Sequence, residues 1–305
     1  MHCRARQVKA VKLRRDRVVV VLLHKIYVYR FSDLKLLDQI STLKNPKGLI
    51  ALCPDSSSVV LACPGVTKGN VRIELYDLRK SQLIPAHESE LAAIALNQQG
   101  TRLATASDNG TLIRVFDTHT GELLKELRRG MGRALINCIT FNKSSEFLAC
   151  SSDKGTVHIF SLVGKAKKGV SDGGVGGGRA APGGGAAAGD EGALTTQQGG
   201  KNTTSSFALL RRVIPGVPKY VESEWSFAQV HGLEPQTICA FGQDPGTLIV
   251  VGADGSYLMT NYAEGGECGK VSFARFVRSK EEDASDVSPT GAPGTEVYHS
   301  ATEEK

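Results

Sequence analysis

A hairpin of one design recurs down this chain at almost even intervals, and that recurrence constrains the fold more than any other feature. Leu103-Ala104-Thr105-Ala106-Ser107 runs into Asp108-Asn109-Gly110 and leaves through Thr111-Leu112-Ile113-Arg114-Val115-Phe116-Asp117. The layout recurs at Val59-Val60-Leu61-Ala62, Lys68-Gly69-Asn70 and Val71-Arg72-Ile73-Glu74-Leu75-Tyr76-Asp77. It is repeated at Phe147-Leu148-Ala149-Cys150-Ser151-Ser152, Asp153-Lys154-Gly155 and Thr156-Val157-His158-Ile159-Phe160, and at Leu248-Ile249-Val250-Val251-Gly252, Asp254-Gly255 and Ser256-Tyr257-Leu258-Met259. An earlier copy, Val18 to Leu23 and Ile26-Tyr27-Val28-Tyr29, is split at His24-Lys25. β-Branched and aromatic runs bounded by such turns are strand signals. The Asx-Gly turns follow from geometry, because a tight hairpin needs positive φ, which Gly and Asn tolerate at little cost. No segment reads as an amphipathic helix.

Successive turn centres lie 44, 41 and 45 residues apart, from Lys25 through Gly69 and Gly110 to Gly155. The last interval, 100 residues to Gly255, falls toward one repeat once a 43-residue insert is removed. That insert, 164–206, holds 14 of the 34 glycines together with alanine clusters. It buries too little apolar area to offset its ordering entropy and is expected to be disordered. It is no phosphate-cradling loop, since no Gly-Lys-Ser/Thr closes it. A charged tail, 278–305, with three basic and seven acidic side chains, reads the same way. A period of this length with several strands per unit marks an all-β, WD40-type β-propeller. Five blades are expected at about 5–42, 43–80, 81–127, 130–230 (interrupted by the insert) and 231–277. Propellers close on themselves or expose strand edges, and the first repeat starts almost at Met1, so either a five-bladed ring or an incomplete, open one lacking N-terminal blades is expected.

Composition excludes several classes. The longest aliphatic run is the six residues Val18 to Leu23, far short of the roughly 20 that span a bilayer. The basic N-terminus lacks the apolar stretch of a secretory leader. A net charge of +6 is too mild for a nucleic-acid coat protein. Nine Lys/Arg against one Asp in residues 1–30 belong to a strand-rich repeat with no reading motif, so no nucleic-acid partner is expected. Seven scattered cysteines show no CxxC spacing, which predicts buried small hydrophobes in a reducing, cytoplasmic setting rather than a metal or redox site. No metal or cofactor is expected. With no nucleophile–base–carboxylate set, neither is an enzyme.

One motif stands out chemically. Leu127-Arg128-Arg129-Gly130 ends the third blade's outer strand. Consecutive strand residues point to opposite faces, so the two arginines aim at separate places, each offering a planar fork of donors that suits a phosphate. Ser107, Gly110, Thr111 and Arg114 gather around the preceding turn; Ser152, Thr156 and His158 hold similar places in the next repeat. Hydroxyls, a histidine and guanidinium groups around an exposed turn compose an anion-binding pocket. Structural readings stand beside this one. Ala86-His87 with Ser107 fits the hydrogen-bond network of ordinary WD40 blades, Thr156 and His158 fit a satisfied interior pair, and Arg114 has Asp108 or Asp117 within reach as an ion-pair partner.

These residues, with Asn45-Pro46-Lys47-Gly48-Leu49 and Ser223-Glu224-Trp225-Ser226, resemble the PROPPIN family, β-propellers that bind polyphosphoinositides and act in autophagy. The likeness spans most of 6–277 outside the insert and is nearest the branch whose Arg-Arg-Gly motif opens with Leu. It implies two lipid headgroup sites. The first would use His87, Ser107, Gly110, Thr111, Arg114 and Arg128; the second Arg129, Ser152, Thr156 and His158, with Arg133 as an outer contact. The implied ligands are phosphatidylinositol 3-phosphate and the 3,5-bisphosphate. The implied role is a peripheral effector recruited from the cytoplasm to phagophore, preautophagosomal or endolysosomal membranes, with autophagy proteins as partners. The alternative is a generic WD40 protein–protein scaffold that binds no lipid.

Two departures accompany the resemblance. Family members are seven-bladed and this chain starts where their third blade would, so about five of seven blades are expected, and docking of the branch's lipid-transfer partner, placed on the early blades, is put in question. Where the family carries a membrane-dipping loop, this chain has mostly glycine. The insertion candidates are Phe207, Leu209, Leu210, Val213 and Ile214, flanking Arg211 and Arg212 that would stay at headgroup level; the alternative makes 207–214 the fourth blade's outer strand.

Overall fold

Alternation of apolar residues at period two, broken by glycine turns, produces successive small sheets. The computed structural model describes residues 7–163, 202 and 223–276. Apart from one 3-10 turn, Tyr76–Leu78, the regular structure among the described residues is all strand. The first sheet contains β1 (Ala10–Leu13), β2 (Arg17–Val21), β3 (Lys25–Arg30) and β4 (Leu36–Ser41). The second contains β5 (Ala51–Leu52), β6 (Val60–Pro64), β7 (Asn70–Leu75) and β8 (Lys80–Pro85). The third is built on β9 (Leu91–Leu96), β10 (Arg102–Ser107), β11 (Leu112–Asp117) and β12 (Leu123–Arg128). The fourth uses β13 (Ile136–Phe141), β14 (Phe147–Ser152), β15 (Val157–Ser161) and β17 (Ala228–Val230). The fifth uses β18 (Thr237–Phe241), β19 (Thr247–Gly252), β20 (Ser256–Asn261) and β22 (Gly269–Arg275). All of these neighbours pair antiparallel, as a propeller blade requires.

The second, third and fourth blades are buried on both faces because neighbours stack on each side of them. On β10, Leu103 joins an apolar cluster with the second blade, while Ala104 and Ala106 join one with the fourth. Four such clusters link blades one to two, two to three, three to four and four to five. Among the described residues none links the fifth to the first. The outer faces of the terminal blades stay partly bare, with Leu13 67% and Ile238 59% exposed. The molecule is an incomplete propeller.

Three details depart from the sequence expectation. The second sheet runs on to Pro85, because β8 pairs with the whole length of β7. Nor is β12 the edge of the third blade: β16 (Glu224–Trp225), arriving from beyond the insert, pairs parallel to it. β21 (Gly266–Glu267) does the same for the fourth, so later chain covers two exposed ladders. Asn202, inside the insert read as disordered, is docked. Its amide accepts from Ser161 N and donates to Ser161 O and Glu224 Oε2, each at 2.6 Å. The rest of the insert and the tail from 277 lie outside the described residues, as do Phe207, Leu209, Leu210, Val213 and Ile214. Among the described residues, β17 pairs antiparallel with β15 as the fourth strand of the fourth blade.

Candidate functional site

The side chains of interest share one rim of the blades, at and just beyond the last paired row of each sheet. In the third blade Ala106, Ile113 and Leu127 form one paired row. One residue further lie Ser107, Leu112 and Arg128. Strand alternation sends these toward the second blade, because Thr105 and Arg114, cross-strand partners two residues away, face that way too. Arg129, one residue further again, shares the face of Leu127, which packs on the fourth blade. The two arginines therefore leave one strand end toward opposite grooves. Both are buried, Arg128 8% and Arg129 7% exposed.

The groove between blades two and three collects His87, Thr105, Ser107, Arg114 and Arg128. Arg114 is committed: its guanidinium donates to Glu126 Oε2 at 2.9 Å and to the Ala86 carbonyl at 2.6 Å. The acid is Glu126, neither Asp108 nor Asp117; Asp117 accepts instead from the His119 and Thr120 amides. His87 Nε2 meets Thr105 Oγ1 at 2.9 Å, so its hydroxyl partner is Thr105 rather than Ser107. Burial, helped by the Arg114 charge, lowers the His87 pKa to about 4. Arg128 donates from Nε to Ser223 Oγ at 2.9 Å. A cavity of about 150 Å³ opens beside this groove, with Lys44, Asn45, Lys47, Gly69, Glu90 and Asp108 in its wall. Asn45 holds the Lys44–Leu49 loop by bonding both the amide and the carbonyl of Leu49.

The groove between blades three and four contains Arg129, Ser152, Thr156 and His158. Cys150 pairs with His158 across β14 and β15, and Cys150 packs toward the third blade, so His158 and Ser152 face Arg129. Arg129 donates from Nε to the Gly110 carbonyl at 2.8 Å and from Nη2 to the Gly132 carbonyl. Gly110, expected in the first site, thus gives its carbonyl to the second groove; the Thr111 carbonyl accepts from the Arg129 amide. Among the described residues no carboxylate lies within ion-pair distance of Arg129. Burial depresses its pKa. Ser152 Oγ is buried without a hydrogen-bond partner. His158 Nδ1 lies 3.3 Å from Ser226 Oγ. Burial, then the Arg129 charge and His231, lower the His158 pKa to about 4. Thr156 Oγ1 lies 3.3 Å from His231 Nδ1. Arg133 turns back over the hairpin to Asp108, at 3.2 Å, and stays exposed.

A buried guanidinium satisfied only by carbonyls carries an uncompensated charge, which costs several kcal/mol unless an anion answers it. The loop that covers Arg129 is lightly held. A Cβ at Gly130 or Gly132 would meet nothing within 4 Å, and Met131 is exposed. Five polar partners escaped the sequence reading: Thr105, Glu126, His231, Ser223 and Ser226. The last two had a signal, because Ser223-Glu224-Trp225-Ser226 had already been singled out. Ser223 serves Arg128 and Ser226 serves His158, so this one tetrapeptide buttresses both grooves.

The comparisons define the class first. Residues 2–171 match the PROPPIN family profile, and the blades superpose on a solved PROPPIN-type propeller, Kluyveromyces lactis Hsv2, with TM-score 0.62 at 20% identity over 90% of this chain and 75% of that one. The chain belongs to the PROPPIN family, whose members are non-enzymatic propellers. Among curated relatives it is 37% identical over 282 residues to autophagy-related protein 18e of Arabidopsis thaliana, covering 90% of this chain and 65% of that protein. It is 45% identical over 157 residues to WD repeat domain phosphoinositide-interacting protein 2 of Gallus gallus, covering 50% of this chain and 36% of that one. The chain therefore spans less than two thirds of the length of these relatives.

Proposed function

We propose that this protein is a phosphoinositide-binding peripheral membrane effector of autophagosome formation. It reads phosphatidylinositol 3-phosphate and the 3,5-bisphosphate through the two grooves that flank the third blade. Recruitment is from the cytoplasm to phagophore or endolysosomal membranes, where the propeller meets other autophagy proteins. The observation that carries this reading is Arg129: a buried guanidinium without a carboxylate partner among the described residues, facing the unpartnered Ser152 hydroxyl and His158 across a groove. The relatives' names, autophagy-related and phosphoinositide-interacting, support the same ligand and process. Arg128, directed the opposite way, supplies a second cationic end to the same blade. Two headgroups held by one rigid body make the second capture effectively intramolecular, which multiplies affinity by ~10²–10⁴. A candidate for a third contact is the apolar set Phe207, Leu209, Leu210, Val213 and Ile214.

Flotation with liposomes tests this. Vesicles carrying phosphatidylinositol 3-phosphate are expected to carry the wild-type protein upward and to leave Arg128→Thr/Arg129→Thr at the bottom, with unchanged circular dichroism. Equal flotation of both would remove the two grooves from the reading and favour a protein–protein scaffold.

A further inference from the structure

The rim row that carries Ser107 and Arg128 in the third blade recurs in the fifth. There Val251, Tyr257 and Ala274 form one paired row, and one residue further stand Thr237, Gly252, Ser256 and Arg275, joined by the Thr237–Gly252 and Ser256–Arg275 pairings. Arg275 thus holds in the fifth blade the register that Arg128 holds in the third. It points, like Arg128, toward the preceding blade, because Leu258, two residues along β20 from Ser256, packs into the cluster shared with the fourth blade. Lys270 pairs with Thr260 on that same face.

Between blades four and five these residues line a cavity of about 250 Å³. Its wall includes His231, Thr237, Ser256, Lys270 and Arg275, with Asp254 and Glu234 also present. Thr237 is 2% exposed, and its Oγ1 has no hydrogen-bond partner. A buried hydroxyl donor left unsatisfied is costly, and here it borders a space whose lining also includes two cationic side chains. Asp254 answers one of them, Arg275, at the limit of ion-pair distance. Its Oδ1 is taken by the Ser256 amide and hydroxyl, at 3.0 and 2.6 Å, and its Oδ2 stands 3.9 Å from Arg275. Glu234 is exposed on the rim.

We propose that this cavity is a third anion site, taking a phosphate monoester between Thr237 Oγ1 and the Lys270 and Arg275 cations. It stands on residues that neither of the first two grooves uses as a cation. Phosphate monoester chemistry reaches such a site from two sources, a phosphoinositide headgroup or a free phosphate.

The test uses the full chain carrying Arg128→Thr/Arg129→Thr, so that loss of the first two grooves is already built in. Titration calorimetry with inorganic phosphate, and with water-soluble dibutanoyl phosphatidylinositol 3-phosphate, reads the remaining binding. One residual site is expected. Adding Lys270→Gln/Arg275→Gln, exposed positions whose exchange leaves the fold intact, should weaken it at least ten-fold; Thr237→Val should weaken it several-fold with equal thermal stability. Residual binding of the lipid analogue alone assigns the site to headgroups, and binding of phosphate alone assigns it to free phosphate. No residual binding of either probe, or residual binding that Lys270→Gln/Arg275→Gln leaves unchanged, overturns the proposal. The two-groove reading is judged separately, by the wild-type protein against Arg128→Thr/Arg129→Thr.

Discussion

The proposed anion site in the second groove should depend on pH through His158, and the size of the effect can be worked from its surroundings. In the ligand-free protein burial and the Arg129 charge lower its pKa to about 4, so the ring is neutral at pH 7. A phosphate dianion on Arg129 cancels the repulsion and favours the imidazolium. Restoring the ordinary value of about 6.5 is the natural limit of that effect. Binding then takes up a proton, and affinity rises as pH falls through the window between those two values. With those limits the gain from pH 7 to pH 5.5 is about eight-fold, a little over 1 kcal/mol. The headgroup phosphate itself titrates near pH 6 and loses charge over the same range, which pulls the other way. The quantity to read is therefore a ratio. Calorimetry with a soluble headgroup is carried out on Arg128→Thr, which silences the first groove, with and without His158→Gln, which keeps a hydrogen-bonding partner for Ser226. The affinity ratio of the histidine form to the glutamine form should climb severalfold between pH 7 and pH 5.5. A flat ratio means that His158 does not face the bound anion, and the assignment of the second groove fails with it.

Stability carries a related signature. His87 and His158 both have folded pKa values of about 4, below the unfolded value of about 6.5, so their contribution is complete above pH 6.5 and is lost as pH falls toward 4. The loss amounts to about 2 kcal/mol each at pH 5; denaturant unfolding should show it, and His87→Gln/His158→Gln should flatten it. Gly110 has φ +63°, and a Cβ there would run into the Ala134 carbonyl oxygen, so Gly110→Ala should cost at least about 2 kcal/mol. Gly130→Ala, whose Cβ meets nothing, should stay within about 0.5 kcal/mol, and equal melting temperatures for the two variants would contradict the turn geometry. Hydrogen bonding to Cys239 lowers the Cys138 thiol to about 7, whereas burial raises Cys63 to about 12 and Cys268 to about 11. Among these three, iodoacetamide at pH 7.5 should mark Cys138 first by peptide mapping, and labelling of Cys268 ahead of it would count against that ordering.

The blades were legible because their signal is local. Each hairpin announces itself through β-branched runs on either side of an Asx-Gly turn, and positive φ at Gly69, Gly110, Gly155 and Gly255 is where the spacing placed it. What local pattern does not encode is which later segment closes an earlier ladder. Glu224–Trp225 is two residues long and pairs parallel, almost a hundred positions downstream of β12. Two residues have no period, and a parallel addition leaves no turn to detect. Asn202 is the same kind of omission, since a single amide docks on Ser161 inside a stretch whose composition predicts disorder.

At the grooves, alternation along one strand was enough to separate Arg128 from Arg129, because that rule depends only on the pleat. It could not say how far each guanidinium was already engaged. Arg114 shows the difference: its acid, Glu126, lies on the next strand in direct cross-strand register, a pairing fixed by the β-bulge at Val115 and Phe116 rather than by distance in sequence. Arg129, three positions further along the chain than Glu126, donates to carbonyls, and among the described residues no carboxylate lies within ion-pair distance of it. One strand end therefore carries two cations with different partners, Arg128 donating to the Ser223 hydroxyl and Arg129 to the Gly110 and Gly132 carbonyls. Anion capture should depend more steeply on the second. Arg129→Thr alone should lose more headgroup affinity than Arg128→Thr alone, and the reverse order in a calorimetric titration would place the stronger site in the groove between blades two and three.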